Sequence, residues 1–363
     1  MGIVLFLTLG SLAGWVLFRK RTIPLCKRYQ GHRTVSVIIP ARNEAHNLPV
    51  LLQSLQQQTL QPAEIIVVDD GSDDDTQHVA RQFGVKVVTN PPRPSGWTGK
   101  TWAVWNGYLA SGGDILVFLD ADVKLAPDAL ASLIRERDRQ GGALSVVPYH
   151  ETKTFQETFT LITNVLGMLA FTSPFETHND GQGLYGSCIV ISREDYEQIK
   201  GHSSICAEVL DDLKLGARLK QAGIRLNNYV GAPLVSFRMY PKGLHSALEG
   251  LAKSAALSTA QLKLSTVLLV AVWLVGLMIS ECFFFFAATT WFWPLAVGYV
   301  LYTLQLLYWT RYVGHFGKVM PFLHILSMIF FLVMLLYSMY QVSFRGTVVW
   351  KGREIEVGRS REG

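Results

Sequence analysis

The sequence predicts an α/β domain built on a parallel sheet and joined at both ends to membrane-spanning helices. Three observations lead there. Short runs that are apolar throughout alternate with helical stretches between Thr34 and Val147. Most of the charge lies between Arg19 and Lys263, although hydrophobic residues make up 49% of the 363-residue chain and charged ones only 17%. Long segments almost free of charge lie outside that region, at the start of the chain and from Leu264 to Tyr340.

Met1–Phe18 carries no charge and is followed by Arg19, Lys20, Arg21, Lys27 and Arg28. A secretory signal would place its positive charges ahead of the apolar stretch, so residues 1–21 read as an uncleaved anchor. The positive-inside rule then puts the N-terminus outside and the following chain in the cytoplasm. The strand candidates are Val35–Ile39, Glu64–Asp70, Val85–Val88, Ile115–Asp122 and Ala143–Val147. Asn47–Gln58, Asp73–Phe83, Lys100–Ala110 and Pro127–Gln140 read as the helices between them. Strands without polar alternation need cover on both faces, which is the pattern of a parallel sheet. Ligands of such sheets bind beyond the carboxyl ends of the strands, so polar groups at those ends are the ones to inspect.

Thr154–Thr172 and Gly243–Leu262 mix apolar residues with a few charges, which suits helices on a membrane surface or packing within the domain. Leu264–Ala288, Trp291–Thr310 and Val319–Tyr340 each approach the roughly 20 apolar residues a span needs. Aromatic residues crowd their edges, as at headgroup depth. Glu281 is the one acid within them, read either as an intramembrane acid with a partner or as a residue near the outer interface. Three crossings would leave the tail, residues 341–363, outside. Its Arg345, Lys351, Arg353, Arg359 and Arg361 favour the inside, so one segment is expected to be re-entrant or interfacial. A multi-pass protein of the cell membrane with a cytoplasmic catalytic domain follows. The net charge of +5 forms no basic helix, so nucleic acid is not an expected partner. Cys26, Cys188, Cys206 and Cys282 are scattered without metal-ligand spacing and read as thiols.

The chemistry lies in acidic clusters at predicted strand ends. Asp69 and Asp70 follow the second strand; Asp120 and Asp122, as Asp-Ala-Asp, follow the fourth. Two such carboxylates can hold a hard divalent cation together with phosphate oxygens, as Mg2+ or Mn2+ is commonly bound. A metal with phosphate implies a nucleotide or nucleotide-sugar, and neither a GxxxxGK[ST] loop nor a GxGxxG turn is present to suggest an ATPase or a dinucleotide site. Lys100, in Gly96-Trp97-Thr98-Gly99-Lys100 just before a helix, could neutralise a phosphate or could be a solvated helix-start lysine. Trp97, Trp102 and Trp105 are candidates to stack on sugar or lipid, or to form core. Asp211 and Asp212 fall near the start of a helix whose apolar face is Leu210, Leu213, Leu215 and Leu219. The helix dipole alone would explain them, yet inverting sugar transfer also needs a carboxylate to take the acceptor's proton.

In order, VSVIIPARNEA, VVDDGSDDDT, FLDADV and LDDLKLGARLKQAG resemble the motifs of the family 2 glycosyltransferases over roughly Val35–Ala260. That resemblance implies a GT-A fold, a Rossmann-like mixed and mostly parallel sheet, over residues 31–260, with residues 264–340 as the C-terminal membrane region. It implies that Pro40, Ala41, Arg42, Glu44, Asp70 and Lys100 hold the uridine diphosphate portion of a UDP-sugar, together with Asp120. Asp120 and Asp122 would hold Mn2+ or Mg2+, and Asp211 or Asp212 would be the base. Asp211 stands where the family commonly has Glu. The family's QxxRW is altered; its nearest matches are Gln341 with Arg345, and Trp350 with Lys351 and Arg353. Trp350 and Arg353 are the pair expected to close over the donor phosphates.

A narrower resemblance, in GWTGKTWA, SVVPYH, FRMYPKGLHSALEG and VVWKGR, is to the membrane enzymes that glycosylate carotenoid acids, with some features shared by hopanoid-associated glycosyltransferases. It implies transfer of glucose to a lipid-like acceptor such as diaponeurosporenoate, with hopanoid, ceramide-like or glycerolipid acceptors as alternatives. The rivals are a non-catalytic membrane scaffold keeping this fold and a processive polysaccharide synthase. Clustered carboxylates argue against the first, and the small number of membrane segments against the second.

Overall fold

The computed structural model describes residues 2–179, 181–241, 243–244, 246–248, 250–251, 262–341, 347–350 and 353–356. The chain divides into two compact units, Lys20–Tyr149 with Glu176–Phe237, and Met1–Arg19 with His150–Phe175 and Arg238–Gly363.

The first of these is a seven-stranded mixed sheet. Its strands are β1 (Val35–Ala41), β2 (Glu64–Asp69), β3 (Lys86–Thr89), β4 (Ile115–Leu119), β6 (Ala143–Val147), β8 (Cys188–Ser192) and β9 (Leu226–Val230), in the order β3-β2-β1-β4-β8-β6-β9. The short β5 (Val123–Leu125) and β10 (Val235–Phe237) pair antiparallel beside it. β1, β4, β6 and β8 are buried at almost every position, so both faces are covered and side-chain alternation is absent. Helices α2 (Leu48–Gln56), α3 (Thr76–Gln82), α4 (Gly99–Leu109), α5 (Ala129–Gln140), α7 (Arg193–Gln198) and α8 (Asp211–Gln221) supply the cover. One core cluster joins Ile38, Leu116 and Ile189 of the sheet to Val104 of α4, Tyr196 of α7 and Leu215 and Leu219 of α8.

The residues alone suggest a parallel sheet. The structure instead inserts β8 antiparallel to both β4 and β6, leaving the mixed, mostly parallel sheet that the family resemblance implied. The inversion positions the site. Leu119 at the end of β4 pairs with Cys188 at the start of β8, so the loop entering β8 arrives at the edge where the parallel strands end.

The second unit holds α1 (Gly2–Leu17), α6 (Leu161–Thr172), α9 (Leu264–Glu281), α10 (Phe292–Val313) and α11 (His324–Tyr340), along with the two-residue β11 (Gly314–His315), which pairs with His150 and Glu151 of β7 (Tyr149–Glu151). A Cβ at Gly10 or Gly276 would fall 2.3 or 2.1 Å from the Tyr302 hydroxyl, so glycine lets α1, α9 and α10 approach closely. Gln305 then ties the three together: it accepts from Trp273 Nε1 at 2.9 Å and donates to the Ser11 carbonyl at 2.9 Å.

Among the described residues, three helical stretches are long and apolar enough to cross a membrane: Gln156–Thr177, Leu264–Phe286 and Met320–Tyr340. The expected span Trp291–Thr310 forms a helix but is not among them; Gln305, Pro294 and its several tyrosines and tryptophans lower its mean hydropathy. Within the first stretch, Ser327 of α11 donates to the Phe159 carbonyl and accepts from Ile162 N, so residues 159–172 pack with the apolar helices. Glu281 is buried and partnered, with His324 Nδ1 at 2.6 Å from its Oε1. Tyr299 stacks on the same imidazole at 4.3 Å. A hairpin of β12 (Thr347–Trp350) and β13 (Arg353–Glu356) lies in the tail. Most of Gly243–Leu262, together with Arg345, Lys351, Arg359 and Arg361, lies outside the described residues.

Candidate active site

The parallel strands deliver their C-terminal residues to one edge. Pro40 and Ala41 end β1 beside Val68 and Asp69 of β2, and Asp70 N extends that pairing onto the Ala41 carbonyl at 2.9 Å. Arg42 follows and donates to the Asp70 carbonyl at 2.9 Å, with Asp73 4.0 Å away. Glu44 receives Asn47 Nδ2 at 2.7 Å, and its backbone N–H donates to Thr76 Oγ1. The two acids of the second strand part company. Asp69 is fully buried and shapes the turn, accepting from Gln77 Nε2 at 2.7 Å and from the Ser72 backbone. Gly71 takes the left-handed conformation this turn requires, with φ +67°. Asp70 is half-buried and accepts from Asn90 Nδ2 at 2.9 Å.

Lys100 reaches the same edge from α4. Thr98 and Thr101 form a reciprocal cap at the start of that helix, and the Cys206 carbonyl accepts from both Thr98 N and Thr101 Oγ1. The Lys100 ammonium lies 3.1 Å from Asp120 Oδ1 and 3.7 Å from Asp211 Oδ2. Desolvation would pull its pKa down, but Asp120, Asp211 and Asp212 outweigh that and raise it, so the lysine is held charged. Three separate motifs therefore meet at one ammonium.

Asp120 leaves β4 with its N–H bonded to the Ser187 carbonyl at 3.0 Å, and Asp122 lies two residues on, in the turn before β5. Asp211 and Asp212 open α8, as expected for acids at a helix start. Asp211 is buried, with a histidine, His202, whose Nε2 lies 3.7 Å from the same Oδ2 that faces Lys100. Asp212 accepts from Gly186 N at 3.0 Å and from Leu213 N at 2.9 Å. Burial, then the neighbouring Asp211 charge, pushes its carboxyl up to about 6 despite Lys100.

The donor set can be tested against a metal. Asp120 and Asp122 offer hard carboxylate oxygens on a short turn, the kind of ligand a small divalent ion uses alongside phosphate oxygens and water. Among the described residues, no group of three or more His, Cys, Asp and Glu side chains gathers as a metal cage. Two carboxylates fit an ion that phosphate helps to hold.

Several groups here are not among the site residues read from the sequence. Tyr185 and Gly186 belong to the loop entering β8, a strand absent from the sequence reading. Burial, then Asp122 and Asp212, raises the Tyr185 phenol well above its ordinary value, which keeps it a neutral donor. Cys188, on β8, is pushed up to about 12 by burial and then by Asp120. The glycines of Gln182-Gly183-Leu184-Tyr185-Gly186 were the available hint: a Cβ at Gly183 would collide with Leu213 of α8 at 2.2 Å. Trp97 packs edge-on to Trp102 at 4.9 Å, and Trp105 stands against Tyr108 at 5.1 Å, forming a half-buried aromatic row along α4. Trp350 and Arg353 are register partners in the tail hairpin, and their side chains lie outside what the structure describes.

A model of the family described as Glycosyl transferase family 2 matches residues 36–200. The 4,4'-diaponeurosporenoate glycosyltransferase of Staphylococcus aureus strain USA300 is 32% identical over 370 residues, covering 99% of this chain and 98% of that relative. The protein of the same description from strain MRSA252 is also 32% identical, over 372 residues and with the same coverage. Among solved structures, the mannosyltransferase PcManGT from Pyrobaculum calidifontis, in complex with GDP-Man and Mn2+, is similar over 95% of this chain and 99% of that one. Its TM-score of 0.53 and identity of 18% speak for the fold alone.

Proposed function

The chain is a member of glycosyl transferase family 2, and from that premise we propose that it moves glucose from a UDP-sugar onto a lipid-like acceptor at the cytoplasmic face of the cell membrane. The acceptor in this reading is a carotenoid acid such as diaponeurosporenoate, in keeping with the name of the staphylococcal relatives. Hopanoids, ceramide-like lipids and glycerolipids are the alternatives. The observation that carries the reading is the Lys100 ammonium set between Asp120 and Asp211, which gathers the nucleotide, metal and base motifs at one sheet edge.

In the proposed reaction an acceptor oxygen forms its bond to the anomeric carbon from the face opposite the diphosphate. The carbon–oxygen bond to the diphosphate breaks, its electron pair leaves with UDP, and the configuration inverts. Pro40, Ala41, Arg42, Glu44 and Asp70 line the end of β1 and the turn after β2, where the nucleotide would sit. Lys100 faces the charge that develops on the leaving group, the kind of preorganised stabilisation that dominates such sites. Asp120 and Asp122 would hold Mn2+ or Mg2+, which when bound supplies Lewis-acid stabilisation to the diphosphate. Trp350 and Arg353 are proposed to close over the donor phosphates.

Of the two acids at the start of α8, Asp212 suits the base better. Burial and Asp211 raise its proton affinity toward neutral pH, whereas Asp211 has Lys100 and His202 against its carboxylate. An alcohol acceptor would give its proton to Asp212. A carboxylate acceptor arrives ionised and has no proton to lose.

The test is UDP release from a panel of UDP-sugars by the purified chain, with Mn2+, Mg2+ or EDTA and with an Asp122→Ala control. Metal-dependent release that disappears in the variant supports the donor and metal assignments and names the sugar. No release from any UDP-sugar, with or without candidate lipids, would favour a scaffold or a different nucleotide. A double replacement, Asp211→Asn with Asp212→Asn, is expected to abolish transfer to alcohols while sparing part of the transfer to an acid.

A further inference from the structure

His202 lies in a one-turn 3-10 segment, Gly201–Ile205, that follows Lys200 in a left-handed conformation. It is 2% exposed. The Tyr196 hydroxyl, itself fully buried, accepts from the His202 backbone N–H at 3.0 Å. Its own single proton is then free to donate to His202 Nδ1, 2.8 Å away. With Nδ1 accepting that proton, the neutral imidazole carries its hydrogen on Nε2. Nε2 in turn faces Asp211 Oδ2 at 3.7 Å, the same oxygen that lies 3.7 Å from Lys100 Nζ. Contacts of this kind are often long before substrate binds and tighten in the complex.

We propose that His202 is a positioning residue for sugar transfer, its Tyr196-locked Nε2–H holding the Asp211 carboxylate so that Asp211 and Asp120 together aim Lys100 at the donor diphosphate. The arrangement is reinforced one turn along, where the Cys206 carbonyl at the end of the same segment anchors both Thr98 and Thr101 around Lys100. One short segment thus fixes the lysine from its backbone side and, through Asp211, from its charged end. The role rests on the glycosyl-transfer reading above, since Lys100 needs an anionic leaving group to act upon.

Three replacements separate positioning from packing: asparagine can keep an acceptor for Tyr196 but no donor toward Asp211, glutamine the reverse, and phenylalanine neither. His202→Gln can place an amide N–H where Nε2–H was. In His202→Asn the amide stops short, near the Nδ1 level, and His202→Phe fills the space beside Phe118 and Tyr196 without a donor. With the full chain in nanodiscs, the glutamine variant should keep kcat within about threefold. The asparagine and phenylalanine variants should lose about a hundredfold in kcat, as for a reacting group displaced by about 1 Å, with the KM for the UDP-sugar unchanged. A phenylalanine variant with wild-type kcat, or asparagine equal to glutamine, overturns the proposal. So does an Nδ1–H tautomer for the 15N-histidine signals that vanish in His202→Gln, among the nine histidines of the chain. A wild-type protein that turns over no donor would instead defeat the glycosyl-transfer reading, while the tautomer spectrum still decides the hydrogen-bond arrangement.

Discussion

Replacing Gly186 by alanine adds one methyl group at the point where the β8 loop meets the start of α8. The new Cβ would lie 2.8 Å from Asp212 Oδ2 and 3.2 Å from that residue's Cβ and Cγ. Gly186 is not among the glycines at positive φ, so the backbone tolerates alanine and the perturbation is purely steric. A carbon–oxygen contact settles near about 3.3 Å, so the carboxylate must retreat by about 0.5 Å. Crowding of Cβ and Cγ means that rotating the carboxylate cannot relieve it alone. The retreat weakens the bond from Gly186 N, now 3.0 Å, a charged hydrogen bond of the class contributing about 1.5–3 kcal/mol. If a displacement of about 1 Å costs about a hundredfold, half of it predicts about a tenfold fall in kcat for an alcohol acceptor. The UDP-sugar KM should not move, and a carboxylate acceptor should be affected less because it needs no base. Steady-state kinetics on paired alcohol and carboxylate lipids, alongside a thermal melt to exclude unfolding, measure this. A folded Gly186→Ala protein with unchanged kcat on the alcohol would refute Asp212 as the base.

Two further predictions concern stability. Burial would raise the Glu136 carboxyl, but hydrogen bonds from Arg139, Tyr229 and Gln140 outweigh it and hold the group at about 2, below its ordinary 4.5. Because the folded value is the lower one, the stabilisation of about 3 kcal/mol is complete above pH 4.5 and is lost as pH falls toward 2; melting between pH 6 and 3 should show a flatter slope for Glu136→Gln than for the wild type. In the apolar helical unit, Glu281→Leu or His324→Leu alone leaves a buried polar partner stranded and should cost about 3–5 kcal/mol, while the double replacement should cost less than the sum. Additive losses in nanodisc unfolding experiments would mean that the 2.6 Å pair contributes no coupling.

Much of the site was legible because its chemistry is local. Asp70, Asp120 and Asp122 stand where apolar strands stop, and a strand end on a buried sheet is a place sequence periodicity can find. The start of α8 at Asp211 was readable from the leucine spacing and the helix dipole in the same way. β8 was missed although Cys188–Ser192 is apolar, because nothing in a short buried run distinguishes a strand from part of a helix. With it went Tyr185 and Gly186. In the helical unit, Gly10 and Gly14 form a small-residue repeat whose meaning depends on residues far away in the sequence, Gly276 and Tyr302 for the first and Trp273 and Trp309 for the second.

By itself, then, the sequence determined the alternation of strands and helices, the carboxylates at the strand ends, the apolar character of the segments flanking the α/β domain and the family. These are properties of nearest neighbours and of periodic pattern, and they survive without any knowledge of partners. Only the tertiary structure decided that β8 runs against its neighbours and brings its loop to the edge where the parallel strands end. It also decided that one ammonium serves both Asp120 and Asp211, that His202 stands behind Asp211, and that Glu281 finds His324. Most of those are contacts between residues tens of positions apart, selected by how buried groups must satisfy one another once the chain has closed on itself, and that requirement has no expression in local sequence.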